Sequence, residues 1–257
     1  MQPHERITAA IEGADGTALV AYITAGYPDK DRFGEHLLAA ADAAAVLEIG
    51  VPFTDPMADG LTIQRSSQGA LAAGVSLTWI LDEIGRLPRR PDAPLVLMSY
   101  LNPLLAFGYE RLAQRAAEVG VAGFIVPDLP LDESAELDEA LNAEGLALIQ
   151  LVTPVTQDER LAASCAASRG FLYAVTVTGI TGGQADSGEI AEYLAKVSGL
   201  SAVPVCAGFG VRGPEQVAEI GRFVPGVVVG SALVEAMERG EDPAAFIRWL
   251  QGEPAAA

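Results

Sequence analysis

Apolar runs of four to seven residues recur along the chain, each followed by a punctuated turn and a stretch in which apolar positions fall three or four residues apart. The runs at 18-24, 45-49, 95-99, 123-126, 147-151, 171-175, 203-207 and 226-229 have the length and composition of short strands. The segments 31-43, 76-86, 109-119, 132-144, 157-168, 189-198, 214-221 and 242-250 carry helical spacing. Strand and helix therefore alternate eight times, which predicts parallel strands joined by right-handed crossovers. Eight such units in 257 residues can close into a (β/α)8 TIM barrel of the α/β class; an open, doubly wound sheet is the alternative. No linker or low-complexity tract divides the chain, so residues 1-257 read as a single barrel domain with extra helices and a frayed tail at 253-257.

Two connections exceed what packing needs, Val51 to Ser76 and Val177 to Ser187. Both follow strands. In a barrel such loops lie on the catalytic face, where 53-60 and 178-188 are placed to close over a substrate.

Composition narrows the partners. Thirty-four acidic residues against sixteen basic ones give a net charge of −18, which opposes counterion-driven binding to nucleic acid or an anionic membrane. Neither partner is expected. The opening residues lack the apolar core of a signal peptide and no apolar run is long enough to span a bilayer, so a cytoplasmic location is expected. Cys165 and Cys206 form no CxxC motif and read as structural thiols.

The side-chain inventory also limits the chemistry. Lys30 and Lys196 both fall in helical connections, which disfavours a Schiff base, and His4 and His36 do not assemble a histidine-rich metal site. What is left is acid-base work by carboxylates and tyrosine, with no metal and no cofactor in this chain. Glu48 stands within the apolar run Val46-Leu47-Glu48-Ile49-Gly50, where removal from water raises a carboxyl pKa; a structural hydrogen bond is the plainer role for it. The next segment adds Asp55, before a proline and suited to a turn, and Asp59, before Gly60 and free to present its carboxylate. Thr181-Gly182-Gly183, Gly208-Phe209-Gly210 and Gly230-Ser231 follow the last three strands, and with a helix starting at Ser231 they suit a backbone cradle for phosphate.

The run Tyr22-Ile-Thr-Ala-Gly-Tyr-Pro28, the run Leu47-Glu-Ile-Gly-Val-Pro-Phe-Thr-Asp-Pro-Met-Ala-Asp-Gly60, Gly123-Phe-Ile-Val-Pro-Asp-Leu-Pro130, Val177-Thr-Gly-Ile-Thr-Gly182 and Val229-Gly-Ser-Ala232 carry a more specific signal. Through them the chain resembles the tryptophan synthase alpha subunit family along nearly its whole length. The resemblance implies a lyase that splits indole-3-glycerol phosphate into indole and glyceraldehyde 3-phosphate. It implies catalytic roles for Glu48, Asp59 and Tyr173, and places Tyr22, Ile63, Leu101, Asp128, Thr181 and Phe209 around the substrate. Gly182, Gly183, Gly210, Gly230 and Ser231 would hold its phosphate. It further implies a beta-chain partner that carries pyridoxal phosphate, in an alpha2beta2 tetramer. The chain departs from the family pattern at Leu61, where proline is usual, at Thr54, where serine is common, and at Pro225, where an acidic residue often stands. An activating subunit with weak catalysis of its own, a stand-alone lyase releasing indole, and another phosphate-binding barrel enzyme are the alternatives.

Overall fold

The computed structural model describes residues 1–176, 187–208 and 210–254. Among them the chain forms nine strands: β1 (Ala18–Thr24), β2 (Val46–Gly50), β3 (Leu95–Met98), β4 (Val121–Ile125), β5 (Ala147–Ile149), β6 (Leu151–Val152), β7 (Leu172–Val175), β8 (Val205–Gly208) and β9 (Gly226–Val229). All pair in parallel, in the spatial order β5-β4-β3-β2-β1-β9-β8-β7-β6. The two ends of that order are one stretch of chain, because β5 and β6 are separated only by Gln150. Its carbonyl accepts from Tyr173 N (3.0 Å), so the ladder continues through the break and the sheet closes as a (β/α)8 barrel, not an open sheet. The Gln150 N–H turns to the Ser168 hydroxyl instead (3.0 Å), which accounts for the interruption.

Among the described residues, twelve α-helices accompany the strands. Eight match the helices predicted from spacing: α2 (Phe33–Ala41), α4 (Leu77–Gly85), α6 (Tyr109–Val119), α7 (Ala135–Ala143), α8 (Asp158–Ala167), α9 (Ser187–Leu200), α10 (Pro214–Ile220) and α12 (Pro243–Leu250). The helix expected at Ser231 is α11 (Ser231–Glu238). Three have no counterpart among the helices that the spacing predicts: α1 (Pro3–Glu12), α3 (Leu61–Ala72) and α5 (Leu101–Phe107). The connection from Val51 to Ser76 is therefore a loop only as far as Gly60. Its second half, α3, was missed because the buried face is made of Ser66, Ser67 and Ala70 beside Ile63, too polar for a hydrophobic period to register.

Strand pleating sorts the side chains into two cores. Ala18, Val20, Val46, Val96, Ala147, Phe171, Cys206 and Val228 fill the barrel interior, while Leu19, Leu47, Ile49, Leu95, Leu97 and Phe124 pack outward against helices. Helix α1 closes the N-terminal mouth. Its Ile7 and Ile11 enter the interior core, His4 N donates to Gly145 O (3.1 Å), and the Thr8 hydroxyl donates to Gly170 O (2.7 Å). Both thiols are free and buried, and no described helix is long and apolar enough to cross a membrane.

Ile7 is fully buried in this plug. Ile7→Ala should cost about 2–4 kcal/mol of stability in urea melts, with turnover per folded molecule unchanged, because α1 lies at the mouth opposite the loops that follow the strands.

Candidate active site

The alternation that buries Val46 inside the barrel also turns Glu48 inward. Glu48 pairs in register with Tyr22 on one side and Val96 on the other, is 2% exposed, and leaves its Oε1 without a hydrogen-bond partner. Burial alone pushes its carboxyl up from 4.5 to about 8, so it holds a proton at neutral pH. Tyr173 from β7 and Cys206 from β8 share this interior. Burial first, and the Glu48 charge second, raise both of their pKa values well above the ordinary range.

Tyr22 lies across β2: a Cβ on Gly50 would overlap its phenol, so glycine is required there. The Tyr22 hydroxyl bonds Thr24 Oγ1 (3.3 Å), which bonds Ser66 Oγ (2.7 Å), and Ser66 donates to Ile63 O (2.9 Å). Since each hydroxyl carries one proton, the terminal carbonyl sets the direction, with Tyr22 donating to Thr24 and Thr24 to Ser66. This buried chain links β1 to α3. Above it Tyr22, Ile63 and Val234 form an apolar cluster, with Tyr27 and Met98 packed alongside.

Asp59 hangs over the same mouth at the end of a loop tied down at three points. Phe53 N donates to Ser67 Oγ (2.9 Å), Ala58 N donates to the Tyr100 hydroxyl (2.9 Å), and Gln64 Nε2 donates to Asp59 O (2.8 Å). The Tyr100 ring stacks on Phe53 at 5.1 Å, and its hydroxyl bonds the Asp59 carboxylate. Burial raises Asp59 from 3.8 to about 6 while that bond lowers it, so Asp59 is ionised at neutral pH. Asp59, Tyr22, Met98, Ser99 and Tyr100 line one cleft. Asp55 is exposed and accepts from its neighbour Thr54, as suits a turn.

Other predicted residues fall differently. Asp128 accepts from Leu101 N (2.9 Å) and so holds the start of α5, and Leu101 packs against the outer core. The residue beside Leu101 that reaches Asp59 is Tyr100, while Ser67 anchors the Asp59 loop at Phe53 and Ser66 ties α3 to β1. None of these three stood out in the sequence, where the one available signal was an aromatic residue just past the end of a strand. Gly210 has φ +80° in the turn after β8, a conformation that favours glycine, and Gly230 caps α11 directly before Ser231. The first amides of α11, those of Ser231 and Ala232, have no intrahelical acceptor and form the positive end of the helix, as anion binding needs. Thr181, Gly182, Gly183 and Phe209 lie outside the described residues. Lys30 donates to Ala73 O (2.9 Å) at the end of α3, and Lys196 pairs with Asp158 (2.6 Å) on the surface. Leu61 is 81% exposed at the first position of α3, where a helix N–H has no partner and proline is equally at home. Thr54 is exposed, and Pro225 accepts from Ala18 N (2.9 Å) as the chain enters β9.

A closed parallel barrel whose C-terminal mouth gathers a protonated glutamic acid, an ionised aspartate and tyrosines defines a class, the (β/α)8 enzymes equipped for acid-base chemistry. Within that class the family model of the tryptophan synthase alpha chain matches residues 9–250. The tryptophan synthase alpha chain of Solidesulfovibrio magneticus is 45% identical over 247 residues, which are 95% of this chain and 96% of that one. Tryptophan synthase subunit alpha from Legionella pneumophila superposes with a TM-score of 0.87 at 32% identity, covering 97% and 96% of the two chains. A Mycobacterium tuberculosis tryptophan synthase structure gives 0.88 at 34%, covering 98% and 99%. The chain belongs to the tryptophan synthase alpha chain family, enzyme subunits of tryptophan biosynthesis.

Two expectations follow from the carboxyls. Below pH 4.5 Glu48 is protonated in both the folded and unfolded chain; between 4.5 and about 8 only the folded chain keeps the proton, so stability falls as pH rises through this window. Denaturant melts from pH 5 to 9 should show the stability difference moving toward Glu48→Gln, which lacks this titration, up to about pH 8 and levelling off above it. Tyr100→Phe removes the bond that lowers Asp59 and should move its titration upward, read as a shift of the acidic limb of the pH-rate profile.

Proposed function

We propose that this chain cleaves indole-3-glycerol phosphate to indole and glyceraldehyde 3-phosphate by a retro-aldol reaction, as the alpha subunit of a tryptophan synthase. The observation that carries the reading is the opposed protonation of two carboxyl groups at one mouth, Glu48 raised to about 8 and Asp59 to about 6, beside the apolar cluster of Tyr22, Ile63 and Val234. That cluster suits the face of an indole ring, and the turn at Gly210 with the start of α11 at Gly230 and Ser231 suits the phosphate.

The proton inventory fits the reaction in order. Protonated Glu48 delivers its proton to indole C3 while ionised Asp59 takes the ring N–H proton, giving the indolenine. The Glu48 carboxylate then removes the proton of the adjacent side-chain hydroxyl. The carbon–carbon bond breaks, the aldehyde forms, the bonding pair returns to the ring, and the nitrogen recovers its proton from Asp59. Both groups end as they began, so the chain's own residues suffice and no cofactor is assigned to it. Tyr173, in the interior with Glu48, orients the acid or the substrate. In this reading Leu101 and Asp128 support the pocket by holding α5 and Tyr100, and Thr181, Phe209, Gly182 and Gly183 are assigned to ligand contact on family resemblance alone.

The partner is proposed to be a beta chain carrying pyridoxal phosphate, in an alpha2beta2 tetramer. Met57, Leu61, Leu105 and Val155 support a docking face on this side: all four are exposed large apolar residues in segments that follow β2, β3 and β6, at the rim of the same mouth. Asn102-Pro103 and Pro127 to Pro130 lie in those rim segments too. Localisation in the cytoplasm follows from this biosynthetic role.

Indole release from indole-3-glycerol phosphate by the purified chain, alone and with a beta chain, tests the reading. Glu48→Gln and Asp59→Asn should each lower turnover by about 10²- to 10⁴-fold without unfolding the barrel. Wild-type activity in Glu48→Gln would remove Glu48 from the mechanism. Because Asp59 must be ionised and Glu48 protonated, kcat/KM should be bell-shaped, rising near pH 6 and falling near pH 8.

A further inference from the structure

We propose that Glu235 is a positioning residue that ties occupancy of the phosphate pocket to the placement of Asp59. The proposal rests on the reading of Gly210, Gly230 and Ser231 as that pocket. Glu235 lies one turn into α11, the helix that Ser231 opens. Its Oε1 accepts from the Thr62 hydroxyl (2.7 Å) and from Arg212 Nη2 (3.3 Å), and its Oε2 accepts from Arg212 Nη1 (2.8 Å). One carboxylate thus grips three segments: the helix behind Ser231, the loop after Gly210, and the first turn of α3.

Each end of this link is itself anchored. Arg212 N donates to Gln216 Oε1 (2.7 Å), which sets the loop after β8 against α10. Thr62 stands three residues beyond Asp59, and in the same turn Gln64 holds the Asp59 carbonyl. One turn further along α11, Glu238 accepts from Arg65 (Nη2, 2.7 Å) and from the Tyr27 hydroxyl (2.6 Å), while Ile63 and Val234 pack between the helices. Helices α3 and α11 are therefore joined along a full turn by two carboxylates and an apolar contact. A displacement of the α11 start toward a bound phosphate carries the α3 start with it, and with that the loop ending in Asp59.

The bland role for Glu235 is a rim ion pair, since the Arg212 side chain is 61% exposed; such pairs contribute little to stability, so the variants should fold. Glycerol 3-phosphate supplies a phosphate without the indole. Calorimetry would give its affinity for the wild type, Glu235→Ala and Thr62→Val, and hydrogen exchange would follow the peptide spanning 53-64. In the wild type, saturating glycerol 3-phosphate should slow exchange in this peptide about fivefold or more. Both variants should still bind it, within about threefold of the wild-type affinity, yet lose the protection; their kcat should fall about tenfold with little change in KM. The double variant should be no worse than the worse single one. Variants that protect the peptide as the wild type does, or that change KM alone, would overturn the proposal. A wild type that binds glycerol 3-phosphate without protecting the loop overturns the coupling and leaves the lyase reading intact, whereas one that does not bind it overturns the phosphate pocket itself.

Discussion

Much of this structure follows from placing one carboxyl group where water does not reach. Glu48 occupies an interior position of a strand whose other inward residue is Val46, and one of its oxygens has no partner. A fully solvated carboxyl at that position would be ionised at neutral pH; the barrel instead keeps it as an acid by surrounding it with Val96, Tyr173 and Cys206, groups that do not stabilise a negative charge there. The stability sacrificed at high pH is the physical counterpart of a proton available near pH 7. Closing the far end of the barrel serves the same condition. With α1 seated in the N-terminal mouth, the interior under Glu48 is packed with Ile7, Ile11 and Phe171.

The second carboxylate is made differently. Asp59 is only half-buried, and its lower pKa follows from that exposure and from the Tyr100 hydroxyl bonded to it. One group is set by a strand and the other by a loop, which divides the site into a rigid half and an adjustable half. The rigid half is defined by ladder register, Tyr22 against Glu48 and Thr24 against Gly50. The adjustable half depends on single hydrogen bonds, accepted by Ser67 and Tyr100 and donated by Gln64, each of which reports the position of another element.

That division also explains what could be read in advance. The strands were visible, with β5 and β6 read as the single run 147-151, because the barrel buries most of both faces, leaving unbroken apolar runs such as Ala18–Thr24 and Gly226–Val229. Glu48 was visible as the charge that interrupts such a run, and Asp59 through the Asp-Gly at the loop's end. Helix α3 was not, because its buried side uses serines whose purpose appears only when Thr24 and Phe53 come to meet them. Tyr100 and Glu235 were hidden for the same reason: their partners lie 42 and 173 residues away, and no local pattern records that separation.

For the phosphate ligand of the proposed function, the acidity of the chain poses a problem that the fold can meet locally. Thirty-four carboxylates face sixteen basic side chains, and the arginine in the loop after β8, Arg212, is already engaged by Glu235. An arginine held this way contributes little net positive charge to a ligand beside it. In the proposed reading, recognition at Gly230 and Ser231 falls to backbone amides and the positive end of α11, whose partial charges act at hydrogen-bond distance. Charges farther off than about 8–10 Å are screened at physiological salt, so the net charge of −18 does not set the potential at the mouth. With Arg212 pairing its charge on one side and the neutral Thr62 hydroxyl donating to it on the other, the Glu235 carboxylate has the contacts that the proposed mechanical link requires.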